Sequence, residues 1–269
     1  AAKKPFFLYM AHYAIHAPLK TPDKRFYDFY KNQKINHTEA IYASLIEGMD
    51  KSLGDLLKNV ERHGLTEDTI VIFMSDNGGL SAVGRGGKRH THNKPLASGK
   101  GSILEGGVRV PMIVNMPGVT KPKTVCNDYV IIEDFFPTIL EMAGAKTITQ
   151  IGGVIDGVSF LPLLTGKTDD YKKDRPIFWH YPNKWGGEGP GIKTYSAVRQ
   201  GDWKLIYYHG TGEYALYNIP ADISETKNLA TAKPEIRKKL ATVLREFLIS
   251  AKAQMPTYKK TGKAVPWPK

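Results

Sequence analysis

The stretch TIVIFMSDNGGLS, residues 69–81, decides how this chain is read. Ile70, Val71, Ile72, Phe73 and Met74 form an unbroken apolar, β-rich run, the pattern of a strand buried on both faces. Ser75-Asp76-Asn77-Gly78-Gly79 ends that run with a carboxylate, a carboxamide and two glycines. In an open α/β sheet ligands bind beyond the carboxyl ends of central strands, so polar side chains there mark a candidate site. Further along, in ASGKG at residues 97–101, Lys100 sits between two glycines, where little bulk hinders an approaching anion. Each piece also has an ordinary reading: Asn-Gly and Gly-Gly are turn signals, and a lysine between glycines is usually solvated. Their combination favours a site.

Upstream, residues 5–11 (PFFLYMA) read as a first strand too apolar for a sheet edge, and His16 follows its end much as Asp76 follows the next. His12 is a weaker candidate, and either histidine alone is more often structural or exposed. From Thr38, a credible N-cap, Ile41, Leu45, Met49, Leu53, Leu56, Leu57 and Val60 recur at helical spacing, and Gly64 ends the run as a C′ residue. Strand, helix, strand predicts a right-handed crossover with a parallel pair, which points both strand ends to one face of the sheet.

Downstream, the loop at 80–98 holds Arg85, Lys88, Arg89, His90, His92 and Lys94. Without a third ligand the two histidines read as part of a solvated loop rather than a metal site. A strand is expected at 108–116, and a short strand followed by a helix at 127–144. Cys126 reads as a small residue at least half-buried. The composition shift at 166–175 (GKTDDYKKDR) suggests a linker. Beyond it, the short aromatic-rich segments 177–180, 195–199, 203–208 and 214–218 predict a small antiparallel sheet. Residues 234–251 then form an amphipathic helix. The domains expected are a catalytic α/β part at 1–168, a small α+β subdomain at 169–254 and an extended tail at 255–269.

With 269 residues the chain can bury a sizeable core. Its formal charge of +12 suits anionic partners. The lysines are dispersed rather than clustered with aromatics, which argues against a nucleic-acid module. One cysteine excludes an internal disulfide and a cysteine metal cluster. No apolar run approaches the ~20 residues of a membrane span.

Asp76 and Asn77 offer part of the oxygen shell of a hard cation such as Ca²⁺. His16 and Lys100 could hold an oxyanion beside it and protonate a leaving oxygen. That chemistry is metal-assisted cleavage of a sulfate or phosphate ester. Six segments, PFFLYMAHYAIHAP (5–18), residues 49–81, NKPLASGKGSILEGGVRVPMIV (93–114), VIIEDFFPTILEMAG (130–144), SAVRQGDWKLI (196–206) and LYNIPADISETKNLA (216–230), resemble in order and spacing the later part of the formylglycine-dependent sulfatases.

The resemblance implies an alkaline-phosphatase-like α/β fold, with a mostly parallel sheet flanked by helices and a small C-terminal antiparallel sheet plus helix. It implies Ca²⁺ ligation by Asp76 and Asn77, sulfate contacts by His16 and Lys100, and a weaker substrate contact by His180, beside Tyr181. Sulfatases place their Cys/Ser-x-Pro-x-Arg segment, whose first residue becomes formylglycine, and further metal ligands ahead of the first strand seen here. Cys126 is followed by Asn127-Asp128-Tyr129 and does not fit that segment. The expectation is therefore a piece of a sulfatase, inactive alone, whose partner is the N-terminal half and whose substrate is a sulfated carbohydrate or aryl sulfate. A periplasmic, secreted or, in a eukaryote, lysosomal location is implied likewise.

The rival readings are a phosphate or phosphonate ester hydrolase of the same fold and a noncatalytic glycan- or anion-binding protein. A β-lactamase reading of Ser75-Asp76-Asn77, Ser224-Glu225-Thr226-Lys227 and Lys260-Thr261-Gly262 fails because the order of motifs is wrong.

Overall fold

The computed structural model describes residues 4–82, 85–145, 153–172, 174–183 and 186–269. The chain divides into two units, Ala1–Thr69 with Val83–Arg89, and Ile70–Ala82 with His90–Lys269.

In the first unit, helix α1 (Lys24–Lys31) starts at Asp23, whose carboxylate accepts the Arg25 N–H. Helix α2 (His37–Arg62) starts at Asn36, whose carboxamide oxygen accepts the Thr38 N–H at 2.9 Å, so the cap lies two residues ahead of the one expected. Gly64, with φ +66°, takes the expected C′ place, and the Leu65 N–H closes on Val60 O. Ala40, Ile41, Tyr42, Ser44 and Gly48 are buried, and the Asp23 N–H donates to Ser44 Oγ between the two helices. Farther along α2 the apolar stripe is only partly covered, and Leu57 is 43% exposed.

The predicted first strand is absent: residues 4–12 pair with no strand, and Phe7 and Tyr9 are 74% and 82% exposed. β-propensity becomes a strand only where a neighbour supplies the ladder of N–H and C=O groups. The expected parallel pair is absent for the same reason. Strand β1 (Val71–Met74) instead pairs antiparallel with β2 (Met112–Asn115), and all four β1 residues are half-buried. Strand β2 is shorter than predicted: Val108 ends the single-turn helix α3 (Glu105–Val108), and residues 109–111 join it to the strand without strand pairing.

The second unit contains the predicted four-stranded antiparallel sheet in the order β3 (Ile177–Tyr181), β4 (Tyr195–Gln200), β5 (Trp203–Tyr208), β6 (Tyr214–Asn218). Alternation along these strands assigns two faces. Val198, Leu205 and Leu216 pack against Leu240, Leu244 and Leu248 of helix α6 (Pro234–Ser250). Ala197, Ile206, Ala215 and Tyr217 pack on Ile103 and Leu104, a few residues beyond Lys100.

Helices α4 (Phe135–Met142) and α5 (Leu161–Thr165) precede the segment read as a linker. That segment is tied down: the buried Tyr171 hydroxyl donates to Tyr129 O at 2.7 Å, and Arg175 pairs with the buried Asp134 carboxylate. Lys173 within it lies outside the described residues. The C-terminal residues also dock, with Val265 buried in the α6 face and the Tyr207 hydroxyl donating to Pro266 O at 3.0 Å. Cys126, expected to be half-buried at least, is exposed.

Leu244→Ala should destabilise the chain by roughly 2–5 kcal/mol, because a fully buried side chain leaves a cavity under the sheet. Ile249→Ala, on the outer side of the same helix, should cost less than about 0.5 kcal/mol. Urea unfolding of both variants checks the difference.

Candidate active site

Strand β1 delivers Asp76 and Asn77 to a turn closed by the Ser75 hydroxyl donating to Asn77 O at 2.9 Å. Asp76 is exposed, whereas Asn77 is half-buried and its Oδ1 is buried with no hydrogen-bond partner among the described residues. From this turn the backbone is stitched to the Lys100 turn: the Lys100 N–H donates to Gly79 O at 3.1 Å. The Asn93 carboxamide bridges the two turns, donating to Gly79 O and to Ser98 O, each at 2.9 Å.

Both turns are tied to the start of α3. The Gly78 N–H donates to Gly107 O and the Gly106 N–H to Ala97 O, each at 2.9 Å. At these crossings glycine is a steric requirement: a Cβ on Gly78 would run into the Gly106 carbonyl, and one on Gly106 into the carbonyls of Ala97 and Ser98. Ser98 is buried with φ +64°, and its hydroxyl has no partner among the described residues.

An orphaned buried carboxamide oxygen beside an exposed carboxylate suits a hard cation such as Ca²⁺, which takes six to eight oxygen ligands. Asp76 and Asn77 can supply part of such a shell. Among the described residues no three His, Cys, Asp or Glu side chains gather to hold a metal ion.

Behind α3 lies a set of buried charges. Lys204 of β5, fully buried, places Nζ 2.9 Å from Glu105 Oε1 and 2.8 Å from Glu225 Oε1. Glu225 Oε2 accepts the Glu105 N–H at 2.6 Å. Arg199 and Arg109 stand 3.7 and 3.8 Å from Glu105 Oε2. Burial pushes the Glu225 carboxyl above its ordinary range, and the Lys204 ammonium opposes that shift.

His16 lies in the first unit, exposed, with Nδ1 donating to Ala17 O at 2.7 Å and its ring 5.2 Å from Tyr13. His180 lies in β3. Its Nε2 is 3.1 Å from Gln254 O, its Nδ1 2.9 Å from Ser196 Oγ, and Ser196 Oγ is 2.8 Å from His209 Nε2. A carbonyl only accepts, so His180 donates through Nε2–H and accepts the Ser196 hydroxyl at Nδ1, and Ser196 Oγ accepts His209 Nε2–H. Both ring nitrogens of His180 are therefore committed within the fold. Buried His209, whose Nδ1 has no partner among the described residues, has its pKa lowered to about 4 by burial and then by neighbouring His180.

A family profile for sulfatases matches residues 1–145. The chain belongs to the sulfatase family. A second profile, the C-terminal part of N-sulphoglucosamine sulphohydrolase, matches residues 99–254. A sulfatase of Formosa agariphila is 32% identical over all of this chain and 50% of its own length. N-acetylgalactosamine-6-sulfatase of Mus musculus is 31% identical over 86% of this chain and 39% of its own. The crystal structure of Ps i-CgsB in complex with k-i-k-neocarrahexaose has 28% identity and a TM-score of 0.77, over 91% of this chain and 50% of that one. The chain thus spans about half the length of the sulfatases it matches, and that likeness gives it an α/β sulfatase fold.

Several residues around these turns escape a sequence reading. Asn93 sits in a loop with no period, and Glu105, Lys204 and Glu225 are distant in sequence. The loop at 80–98 was expected to be solvated, but Arg85 is 4% exposed, with its guanidinium 3.8 Å from the centre of the Tyr42 ring. His92 Nδ1 is 3.2 Å from Ser81 Oγ, and Gly189 packs on the His90 ring. Loop residues bury against tertiary partners that no local pattern announces.

His209 sets a pH dependence. Its pKa is near 6.5 in the unfolded chain and about 4 in the folded one, so the unfolded state binds the extra proton between those values. Stability should therefore fall as pH drops from about 6.5 to about 4, by at most ~1.4 kcal/mol per pH unit. Urea unfolding at several pH values should show this slope in the native chain and a shallower one in His209→Gln. Gly106→Ala, with no room for its methyl, should cost about 2–4 kcal/mol in the same assay.

Proposed function

We propose that these residues form part of the active site of a sulfuric ester hydrolase acting on a sulfated carbohydrate. The observation that carries this is the Asp76-Asn77 turn, hydrogen-bonded at Gly79 to the turn bearing Lys100, with Asn77 Oδ1 buried and unpaired. A carbohydrate substrate is supported by a relative named N-acetylgalactosamine-6-sulfatase and by a neighbour holding a neocarrahexaose.

In this reading Asp76 and Asn77 contribute oxygens to a Ca²⁺, which when bound withdraws charge from the sulfate oxygens. Lys100, on a turn whose backbone is fixed at Gly79, sets an ammonium against the same anion. His16 donates a proton to the leaving alcohol oxygen. His180 enters only as a wall residue, because its nitrogens serve Ser196 and Gln254. The nucleophile, a formylglycine, belongs to a segment outside these residues. The exposed run at residues 6–10 is a surface that segment would cover. Residues 1–168 then belong to the catalytic domain, and 169–254 form a subdomain against which the tail packs. A location outside the cytosol belongs to the same reading, and among the described residues no helix is long and apolar enough to cross a membrane.

Lys100→Ala and Asp76→Ala in the complete enzyme should each lower kcat/KM on an aryl sulfate by about 10²–10³-fold. The matched aryl phosphate should be the poorer substrate of the native enzyme. A preference for phosphate would replace the sulfatase reading with the phosphate-ester one.

A further inference from the structure

Lys204 lies on β5, far along the chain from Asp76 and Lys100, and no step of sulfate ester hydrolysis calls for it. Its ammonium is nevertheless fully buried between two buried carboxylates. A lysine seldom takes such a place, because leaving water costs it more than most groups unless its charge is answered on all sides.

We propose that the Glu105, Lys204 and Glu225 cluster is a positioning device for the two site turns, and that Lys204 is its keystone. Two of the backbone ties of those turns end on the segment the cluster holds, and a third joins the turns to each other. The Asp76-Asn77 turn is anchored by the Gly78 N–H on Gly107 O. The segment leading into Lys100 is anchored by the Gly106 N–H on Ala97 O, and Lys100 itself by its N–H on Gly79 O.

Segment 105–108 has little regular structure of its own to fix it. It is one helical turn of sequence EGGV, with no side-chain cap at Leu104 and two consecutive glycines, the residues with most backbone freedom to lose. Its fixed point is Glu105, gripped at both ends: the side chain by Lys204, and the main-chain N–H by Glu225 Oε2. Glu225 in turn sits at φ +50°, a strained conformation for a non-glycine residue, with its N–H donating to Asp222 O at 3.0 Å and its Oε1 2.8 Å from the same ammonium. Without that charge the two carboxylates would repel across a buried space, and the grip on the Glu105 N–H would go with them. Arg199 and Arg109 reach only Glu105 Oε2, at 3.7 and 3.8 Å, too far to replace the Lys204 contacts.

The metal-binding arm of the test rests on the function proposed above, and the exchange arm does not. The complete enzyme, native and as Lys204→Met and Asp76→Asn, is compared by amide hydrogen exchange and by calorimetric titration with CaCl₂ alone. In Lys204→Met the amides of Gly78, Lys100 and Gly106 should exchange at least about tenfold faster, while the β3–β4 ladder keeps its protection. Its Ca²⁺ affinity should also fall by about tenfold or more.

Native-like protection of those three amides in Lys204→Met overturns the proposal, as does a uniform loss of protection across the sheet, which marks a purely structural role. Asp76→Asn should lose Ca²⁺ binding and keep the amides protected. If it binds Ca²⁺ as the native chain does, the metal reading fails while the exchange data still decide the role of Lys204. Should Lys204→Met not fold, the triple variant K204M/E105Q/E225Q, which leaves no buried charge unanswered in the cluster, takes its place. Faster exchange confined to the same three amides supports the device, and native-like protection there overturns it.

Discussion

One buried ammonium underlies much of the second unit. Lys204 compensates two carboxylates that would not be buried without it, and those carboxylates bring together segments near residues 105, 204 and 225. Such a cluster is weak evidence for net stability, since an apolar set of equal volume often does as well. Its consequence is geometric. Charges in a low-dielectric space accept few arrangements, and each arrangement fixes backbone as well as side chain.

The four-stranded sheet transmits that constraint because its two faces do different things. One face is an ordinary apolar core with α6 and the C-terminal residues, held by Val198, Leu205, Leu216, Leu244 and Val265. The other mixes apolar contacts, Ile206 and Ala197 on Ile103 and Leu104, with the buried charges. Period-two alternation puts Lys204 and Ile206 on the same side, so the lysine that answers Glu105 and the isoleucine that packs on Ile103 arrive together. The segment from Lys100 to Gly107 is thereby set against a rigid layer, although it has little regular structure of its own.

Legibility followed the reach of the forces involved. The antiparallel sheet, α6 and the end of α2 at Gly64 could be read directly, because alternation, helical spacing and a left-handed C′ glycine are local signals. The residues at 5–11 could not, since an apolar β-rich run records a propensity, and pairing depends on a neighbour. The segment at 166–175 misled in the opposite sense: its polar composition suggests a linker, but Tyr171 and Arg175 use their polar atoms on Tyr129 and Asp134. The reading of the loop at 80–98 as solvated failed similarly, with Arg85 buried against Tyr42 and His92 bonded to Ser81.

Residue type and order sufficed to nominate Asp76, Asn77 and Lys100 as candidates, because an acid-amide pair at a strand end and a lysine between glycines are chemical statements made by adjacent residues; His16 was nominated by its place after an apolar run. Sequence alone also determined the family, through six ordered segments. Only the tertiary structure decided that Gly79 joins the Asp76-Asn77 turn to the lysine turn, that Asn77 Oδ1 has no partner among the described residues, and that both ring nitrogens of His180 are occupied. It alone showed Lys204 meeting Glu105 and Glu225. The reason is physical: burial, charge compensation and hydrogen-bond satisfaction are properties of what surrounds a group, and those surroundings come from residues far apart in the chain.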